Sequence, residues 1–423
     1  MKPIQNFGKK GIALMFYTAV LMFICGCVNT GMTQTVIPII SETRGWDGSV
    51  MLSWVTYGSW IGVIACVLWG QLLFKKGAKL VAVLGLVGGG IAIAVYGNAP
   101  ALPVLCLAIV LNRVFSTAYQ NNAANALINT WFPRKKGIVF GWVTMGIIFC
   151  DIIWLPMITA GVGNLGLKPS LLIVAVVFFA LAVIGLIWLK NTPEEAGVYP
   201  DNQPEGVSDL KQSLTELQAY KSPWTVARML KEKAVWLTGV GIGFLWLCAV
   251  GCLSQNVPRI MSFGYGRAEA VTIVSISAVF ALVGSYAFGK ADTVFGTKKA
   301  CQIYGIVQAA ALILVFLQPF GTIFIWLSSC LLYSCIGGIA NLAPSMIGTL
   351  FGRKDFAAAN RLLNPMIYAI YSTSFLVVSR CLEVFGNYES VYIVFLALTA
   401  AGFAMVCAID TEAIKVQHSK ESS

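Results

Sequence analysis

The 423-residue chain is 58% hydrophobic and 11% charged, with a mean hydropathy of +0.78. A water-soluble domain carries roughly 25% charged residues, so a globule of this size exposed to water is excluded and lipid is the natural solvent. The net charge of +11 sits in short loops between apolar runs, a footprint of membrane topology that excludes nucleic acid as a partner.

The basic start, MKPIQNFGKKG, runs into more than twenty apolar residues with no small-residue cleavage site. It reads as a retained first helix rather than a removed signal. A bilayer crossing takes about 20 mostly apolar residues. On that measure, spans are predicted over 12–40, 51–73, 80–97, 101–130, 137–160 and 170–189, then over 236–257, 271–288, 300–317, 322–351, 359–378 and 391–409. The fold class expected is an all-α membrane protein of twelve transmembrane helices in two six-helix bundles.

Lys and Arg are biased to one side of this arrangement. One side holds Lys2, Lys9, Lys10, Lys75, Lys76, Lys79, Arg134, Lys135 and Lys136 in the first half, and Lys290, Lys298, Lys299, Arg353 and Lys354 in the second. The other side holds Arg44, Lys168, Arg259, Arg267 and Arg380. The positive-inside rule then places both termini in the cytoplasm of a multi-pass inner (plasma) membrane protein. The hydrophilic stretch between the halves reads as a cytoplasmic linker. In it, Ser222 and Pro223 followed by Trp224, Val226, Met229 and Leu230 predict a capped amphipathic helix. The domain boundaries are 1–190 for the first bundle, 191–234 for the linker, 235–410 for the second bundle and 411–423 for a cytoplasmic tail.

The twelve cysteines, Cys66, Cys106, Cys150 and Cys330 among them, lie mostly in apolar runs without metal-ligand spacing and read as small apolar residues. The single histidine, His418, lies in the tail, which excludes a histidine relay in the membrane. No phosphate loop and no nucleophile–base constellation occurs. An enzyme, a primary pump, a metal and a cofactor are therefore not expected.

An internal repeat relates the halves. NAANALINTWFPRK (122–135) and NLAPSMIGTLFGRK (341–354) agree at seven of fourteen positions at an offset of 219 residues, Asn122 with Asn341 and Thr130 with Thr349 among them. GQLLFKKGAK (70–79) and GKADTVFGTK (289–298) share the offset, aligning Gly70 with Gly289, Gly77 with Gly296 and Lys79 with Lys298. A parallel repeat of six helices implies two similar bundles rocking about a site near the bilayer midplane.

These paired loops resemble the signature loop of the major facilitator superfamily, over roughly residues 12 to 410. The resemblance implies the major facilitator fold and alternating access, with Gly70, Gly77, Lys79, Gly289, Asp292 and Gly296 as gating-loop residues. Phe74 stands where the family has an Asp, and Asp292 comes one residue early. Both departures bear on the gate contact, not on the fold. WFPRKKGIVFGW (131–142), FGTKKA (295–300), FGRKDF (351–356) and the approach from Ser222 to Trp236 resemble the oxalate/formate antiporter and monocarboxylate transporter branch. Carboxylate carriers of that branch have basic residues in spans 8 and 11. Here span 8 has none between Arg267 and Lys290, and span 11 none between Arg361 and Arg380, a departure that weakens the transfer of oxalate or lactate as the substrate.

A charge in hydrocarbon costs roughly 2.5–3.5 kcal/mol on insertion scales, so Arg113 in span 4 and Asp151 in span 5 stand out. Three readings are open. Arg113 binds an anionic substrate while Asp151 carries a proton; the two form a pair that opens during transport; or they are a static pair. Further substrate-binding candidates are Asn29, Tyr119, Gln120, Gln255, Tyr368 and Tyr371 in runs of polar side chains that lipid-facing helices avoid. Tyr368 and Tyr371 share a helical face beside an expected helix break at Asn364 and Pro365. Trp54, Trp60, Trp142, Trp154 and Trp246 are packing or pocket-lining residues. The expected function is secondary transport of a small, monocarboxylate-like organic anion by proton coupling or exchange, as a monomer. The alternative is an exporter of amphipathic or drug-like compounds, although span 5 lacks the Gly-Pro motif common in drug antiporters.

Overall fold

In lipid a backbone satisfies its own N–H and C=O groups only as a helix or a closed barrel, and the long apolar runs of this chain are helical. The computed structural model describes residues 6–204 and 210–411; His418 and the tail beyond residue 411 lie outside the described residues. The first crossing joins α1 (Gly8–Gly26), a π-helical segment (Cys27–Val36) and α2 (Ile37–Arg44). α3 (Gly48–Lys76) and α4 (Ala78–Asn98) follow. The fourth crossing joins α5 (Leu102–Ser116), a second π-helical segment (Thr117–Ala124) and α6 (Asn125–Trp131). α7 (Lys136–Val143) with α8 (Met145–Leu165) makes the fifth and α9 (Leu167–Trp188) the sixth.

The linker carries α10 (Leu210–Ala219) and a single turn, α11 (Val226–Met229). Beyond it lie α12 (Lys233–Ser254), α13 (Asn256–Ser262), α14 (Arg267–Phe295), α15 (Thr297–Phe316), α16 (Thr322–Tyr371), α17 (Ser374–Phe385) and α18 (Tyr388–Cys407). α16 has 50 residues, roughly 75 Å at 1.5 Å per residue, far more than one bilayer thickness. It breaks at Gly352, whose φ of 70° and ψ of −178° are not helical, and so supplies two crossings. Counted this way, the described residues carry the twelve crossings expected.

Two of the local expectations differ from what is observed. The helix after Pro223 is one turn long, and its cap is Thr225, whose hydroxyl accepts from the Arg228 amide (3.2 Å). Trp224 is instead buried edge-on against Phe351 at 5.1 Å, so it anchors the chain rather than lying on an amphipathic face. Asn364 and Pro365 sit within a continuous helix. Proline's fixed φ is itself helical and removes only one ladder hydrogen bond; the interruption comes later, at Ser372 and Thr373.

The chain divides into two compact units: Met1–Pro133, Gly146–Pro223 and Arg353–Pro365 in one, and Arg134–Met145, Trp224–Gly352 and Met366–Ser423 in the other. In the first, α4 packs between the fourth crossing and α9. A Cβ at Gly85 would lie 2.7 Å from the Ala118 Cβ, and one at Gly89 would lie 2.8 Å from the Phe178 ring. Small residues let backbones approach where lipid offers no hydrophobic drive between helices. In the second unit, Leu247, Cys248 and Cys252 of α12 meet Leu312 of α15 and Val391 and Phe395 of α18 in one apolar cluster. Ten of the twelve cysteines are buried, Cys330 and Cys407 are partly exposed, and all are free thiols.

The 219-residue repeat persists in three dimensions. Gly77 and Gly296 open α4 and α15 with φ of 83° and 84°, and their amides donate to the carbonyls of Leu73 (2.9 Å) and Asp292 (3.0 Å). Asn122 and Asn341 are both fully buried. The Asn122 amide faces Cys66 (Nδ2 to Sγ 3.4 Å), and the Asn341 amide faces Ser285, the residue at the same offset (Nδ2 to O 2.7 Å).

Candidate functional site

In the first unit the polar candidates gather on the two π-helical segments. A π turn interrupts the regular i−4 ladder and re-aims side chains, which is why such turns recur at functional sites. The Val28 carbonyl accepts from Asn112 Nδ2 (2.7 Å), and the Asn29 carbonyl accepts from the Arg113 guanidinium (3.3 Å). The Asn29 amide donates to Cys25 Sγ (3.1 Å), and that thiol donates to Gln120 Oε1 (3.4 Å). The structure thus brings together Asn29, Arg113 and Gln120, with Cys25 as the bridge. Tyr119 is fully buried, its ring edge-on to Phe178 at 5.9 Å. Asp151 lies on α8 by its backbone; its side chain falls outside the described residues, as do those of Thr30 and Gln34.

Arg113 is half-buried and packs by its Cβ and Cγ against Gly58 of α3. One turn earlier, Val110 lines an open apolar groove of about 430 Å³ between α3 and α5, with Leu102 and Cys106 and with Val50, Trp54 and Ile61, which are exposed. A cation therefore stands one helical turn from an apolar recess.

In the second unit, Tyr368 and Tyr371 lie 5.1 Å apart by ring centroid, and Tyr371 stacks on Trp246 of α12 at 4.6 Å and 19°. Gln255 marks the corner between α12 and α13 (φ −106°, ψ 7°), and its amide donates to Ser254 Oγ (3.2 Å). Gln255 is thus apart from the aromatic stack in its hydrogen bonding.

The gating-loop candidates fall into two matched corners. In the first unit, a Cβ at Gly70 would meet the Arg361 Cα at 2.8 Å. Phe74, standing where an Asp was expected, lies under the Arg361 guanidinium at 4.2 Å, and Arg361 also donates to Gln71 Oε1 (3.2 Å). Phe74 thus meets Arg361 through a cation–π contact. The Lys79 amide donates to Asn191 Oδ1 (2.9 Å). In the second unit, a Cβ at Gly289 would meet the Gly141 Cα at 2.8 Å. Asp292 is buried and accepts from Thr297 Oγ1 (2.6 Å) and from Ser345 Oγ. Lys136 Nζ donates to the Ser345 carbonyl (2.8 Å) and to Thr349 Oγ1 (2.7 Å).

Sequence reasoning misplaced two cations. Lys136, counted as a loop charge, is buried in this network, and Arg259, counted on the opposite side, is 1% exposed. Asn360, unremarked in the sequence, donates to Asn122 Oδ1 (3.1 Å) within the first unit. No periodicity separates a charge in a loop from one tucked just inside a helix end, and the polar groups that meet these cations, Ser329 and Thr349, are neighbours only in the folded chain.

Comparison with known proteins agrees with this architecture. The Major Facilitator Superfamily model matches residues 19–370. The chain is 27% identical over 207 residues to "Multidrug resistance protein MdtG" of Proteus mirabilis (strain HI4320), covering 45% of this chain and 48% of that protein. It is 29% identical over 182 residues to the protein of the same name from Erwinia billingiae (strain Eb661), covering 40% and 43%. The chain thus spans about half the length of the curated relatives it matches. Among solved structures, it superposes on the proton:xylose symporter XylE bound to 6-bromo-6-deoxy-D-glucose with a TM-score of 0.73 at 12% identity, covering 96% of this chain and 98% of that one. On the transporter FucP in the outward conformation it scores 0.67 at 14% identity, covering 94% and 98%. Such distant identity speaks for the fold alone. With a family model over most of its length and this arrangement of crossings, the chain is a multi-pass membrane protein that belongs to the Major Facilitator Superfamily, a family of transporters rather than enzymes.

Proposed function

We propose that this transporter moves small organic anions that carry an apolar body, by alternating access with proton coupling or exchange. The observation that supports the reading is Arg113. Its guanidinium is held by a backbone carbonyl on a π turn, beside Asn29 and Gln120, one turn from the apolar groove lined by Val110. A carboxylate would meet the guanidinium fork, and an apolar body would fill the recess. Asp151 is the proposed proton carrier. The loops around Gly70, Gly77, Lys79, Gly289, Asp292 and Gly296 are proposed as gating elements, and the Lys and Arg bias supports cytoplasmic termini in an inner membrane. The resemblance of residues 131–142, 295–300 and 351–356 to motifs of the oxalate/formate and monocarboxylate branch favours an acid as substrate.

The test is uptake of labelled mono- and dicarboxylates into proteoliposomes, with and without an imposed proton gradient. Saturable uptake that Arg113→Ala reduces by at least 100-fold, in protein that still inserts, is the expected result; normal uptake by that variant removes Arg113 as the anchor. Asp151→Asn is expected to abolish the response to the proton gradient while sparing exchange, and an unchanged response removes Asp151 as the carrier.

A second reading, an exporter of amphipathic compounds, is favoured by the stack of Trp246 on Tyr371 and Tyr368 and by likeness to two proteins named for multidrug resistance. Absence of carboxylate uptake together with dye efflux from the same vesicles would select it.

A further inference from the structure

Arg259 of α13 has no place in that proposal. It lies one turn beyond the Gln255 corner and is 1% exposed. Nη2 donates to Asn256 Oδ1 and to Ser329 Oγ of α16 (3.2 Å), and the guanidinium lies over the Tyr392 ring at 5.4 Å. Nε and Nη1 are buried with no acceptor among the described residues, and no carboxylate there pairs with the group.

Asn256 adds an independent observation. Its Oδ1 accepts from both Arg259 and Ser329 Oγ (3.4 Å), which fixes the orientation of the amide. Its Nδ2 is then a donor, and it too is buried without a partner. Three nitrogen donors on residues one helical turn apart are thus left without an acceptor. A buried cation with no counter-charge is destabilising by several kcal/mol, and each unmade buried hydrogen bond adds to that. Neutral oxygens and a ring face offset only part of it.

We propose that Arg259 and Asn256 are the donor half of an anion site in the second unit, taking a small monovalent anion, either chloride or a carboxylate group. The two share the chemistry required: one negative charge and acceptor capacity for a guanidinium edge and an amide N–H. The site does not depend on transport at Arg113. Beyond the buried Ile260, residues 261–264 are exposed, so the chain returns to the surface within about one turn of the site.

The experiment is a thermal unfolding titration of the purified full-length protein in detergent. A bulky sulfonate, the anion of morpholinoethanesulfonic acid, serves as the background and is exchanged for chloride or acetate at constant ionic strength. A saturable rise in Tm of about 3–6 °C is expected from at least one of the two; a response to chloride alone identifies a halide site, and a response to acetate a carboxylate site. Arg259→Met replaces the cation by an apolar chain of similar length, a change often tolerated at buried charges, and is expected to remove the response. Arg259→Lys keeps the charge but loses the fork, and is expected to shift the titration midpoint about 10-fold. A wild-type Tm insensitive to both anions, a wild-type response retained in Arg259→Met, or an unshifted midpoint in Arg259→Lys overturns the proposal.

Discussion

The backbone at Gly77 and Gly296 combines a positive φ with an extended ψ (83°, 171° and 84°, 154°), a region essentially reserved for glycine that costs any other residue roughly 1–3 kcal/mol. Gly77→Ala and Gly296→Ala should each lower stability by about that much, read as a drop in Tm of the detergent-solubilised protein. Unchanged Tm at both sites would mean that the turns relax without strain. These two residues were legible in the sequence because a tight turn between helices admits little else, and because the same residue recurs 219 positions on. Arg259 was not legible. A lysine or arginine just beyond an apolar run looks the same whether it faces water or turns back into the helix bundle, and only packing against Asn256, Ser329 and Tyr392 decides. Arg113 was legible for the opposite reason, since it interrupts an apolar run where a charge is costly.

Among the elements, the linker has a specific mechanical role in the first unit. Glu194 forms an ion pair with Arg353, and the Tyr220 hydroxyl donates to both carboxylate oxygens of Asp355 (3.0 and 2.9 Å), with Lys354 over the Tyr220 ring at 5.3 Å. Three successive residues after the Gly352 break are thus tied to the linker. Burial, reinforced by Asp355, pushes the Tyr220 hydroxyl above its ordinary pKa, so it stays a donor through the neutral range. Tyr220→Phe removes hydrogen bonds to a charged group, worth about 1.5–3 kcal/mol. Hydrogen exchange should then speed up in α10 and around residues 353–357 while α12 and α18 are unchanged. Equal protection in variant and wild type would show that the ion pair alone holds the segment. The linker is legible by composition but its one-turn helix is not, because the spacing of the apolar residues after Pro223 suits a helical face while Trp224 is a buried anchor. The π-helical segments were likewise unreadable, since the amides and hydroxyls that cluster there have no helical period of their own.

For the molecule as a whole, the number and order of crossings followed from hydropathy and the repeat, both properties of long stretches. Which short pieces join which compact unit did not, because residues 134–145 and 353–365 are placed by packing and not by chain order. The repeat makes a molecule-wide prediction. Asn122→Ala and Asn341→Ala should destabilise by similar amounts, about 1–3 kcal/mol, since each leaves matched buried groups unpaired. Thermal unfolding of the two variants checks it, and a tolerated change at one site beside a severe one at the other would show that the equivalence is geometric only. The sealed thiols carry a last consequence. Cys25 is buried between Asn29 and Gln120, close to Arg113, so its alkylation is slow unless that neighbourhood loosens. The unmodified protein therefore holds its own reporter: the rate at which a maleimide captures Cys25, set against Cys407 as a reference, is a clock for opening around the arginine, and a substrate that settles there should slow it.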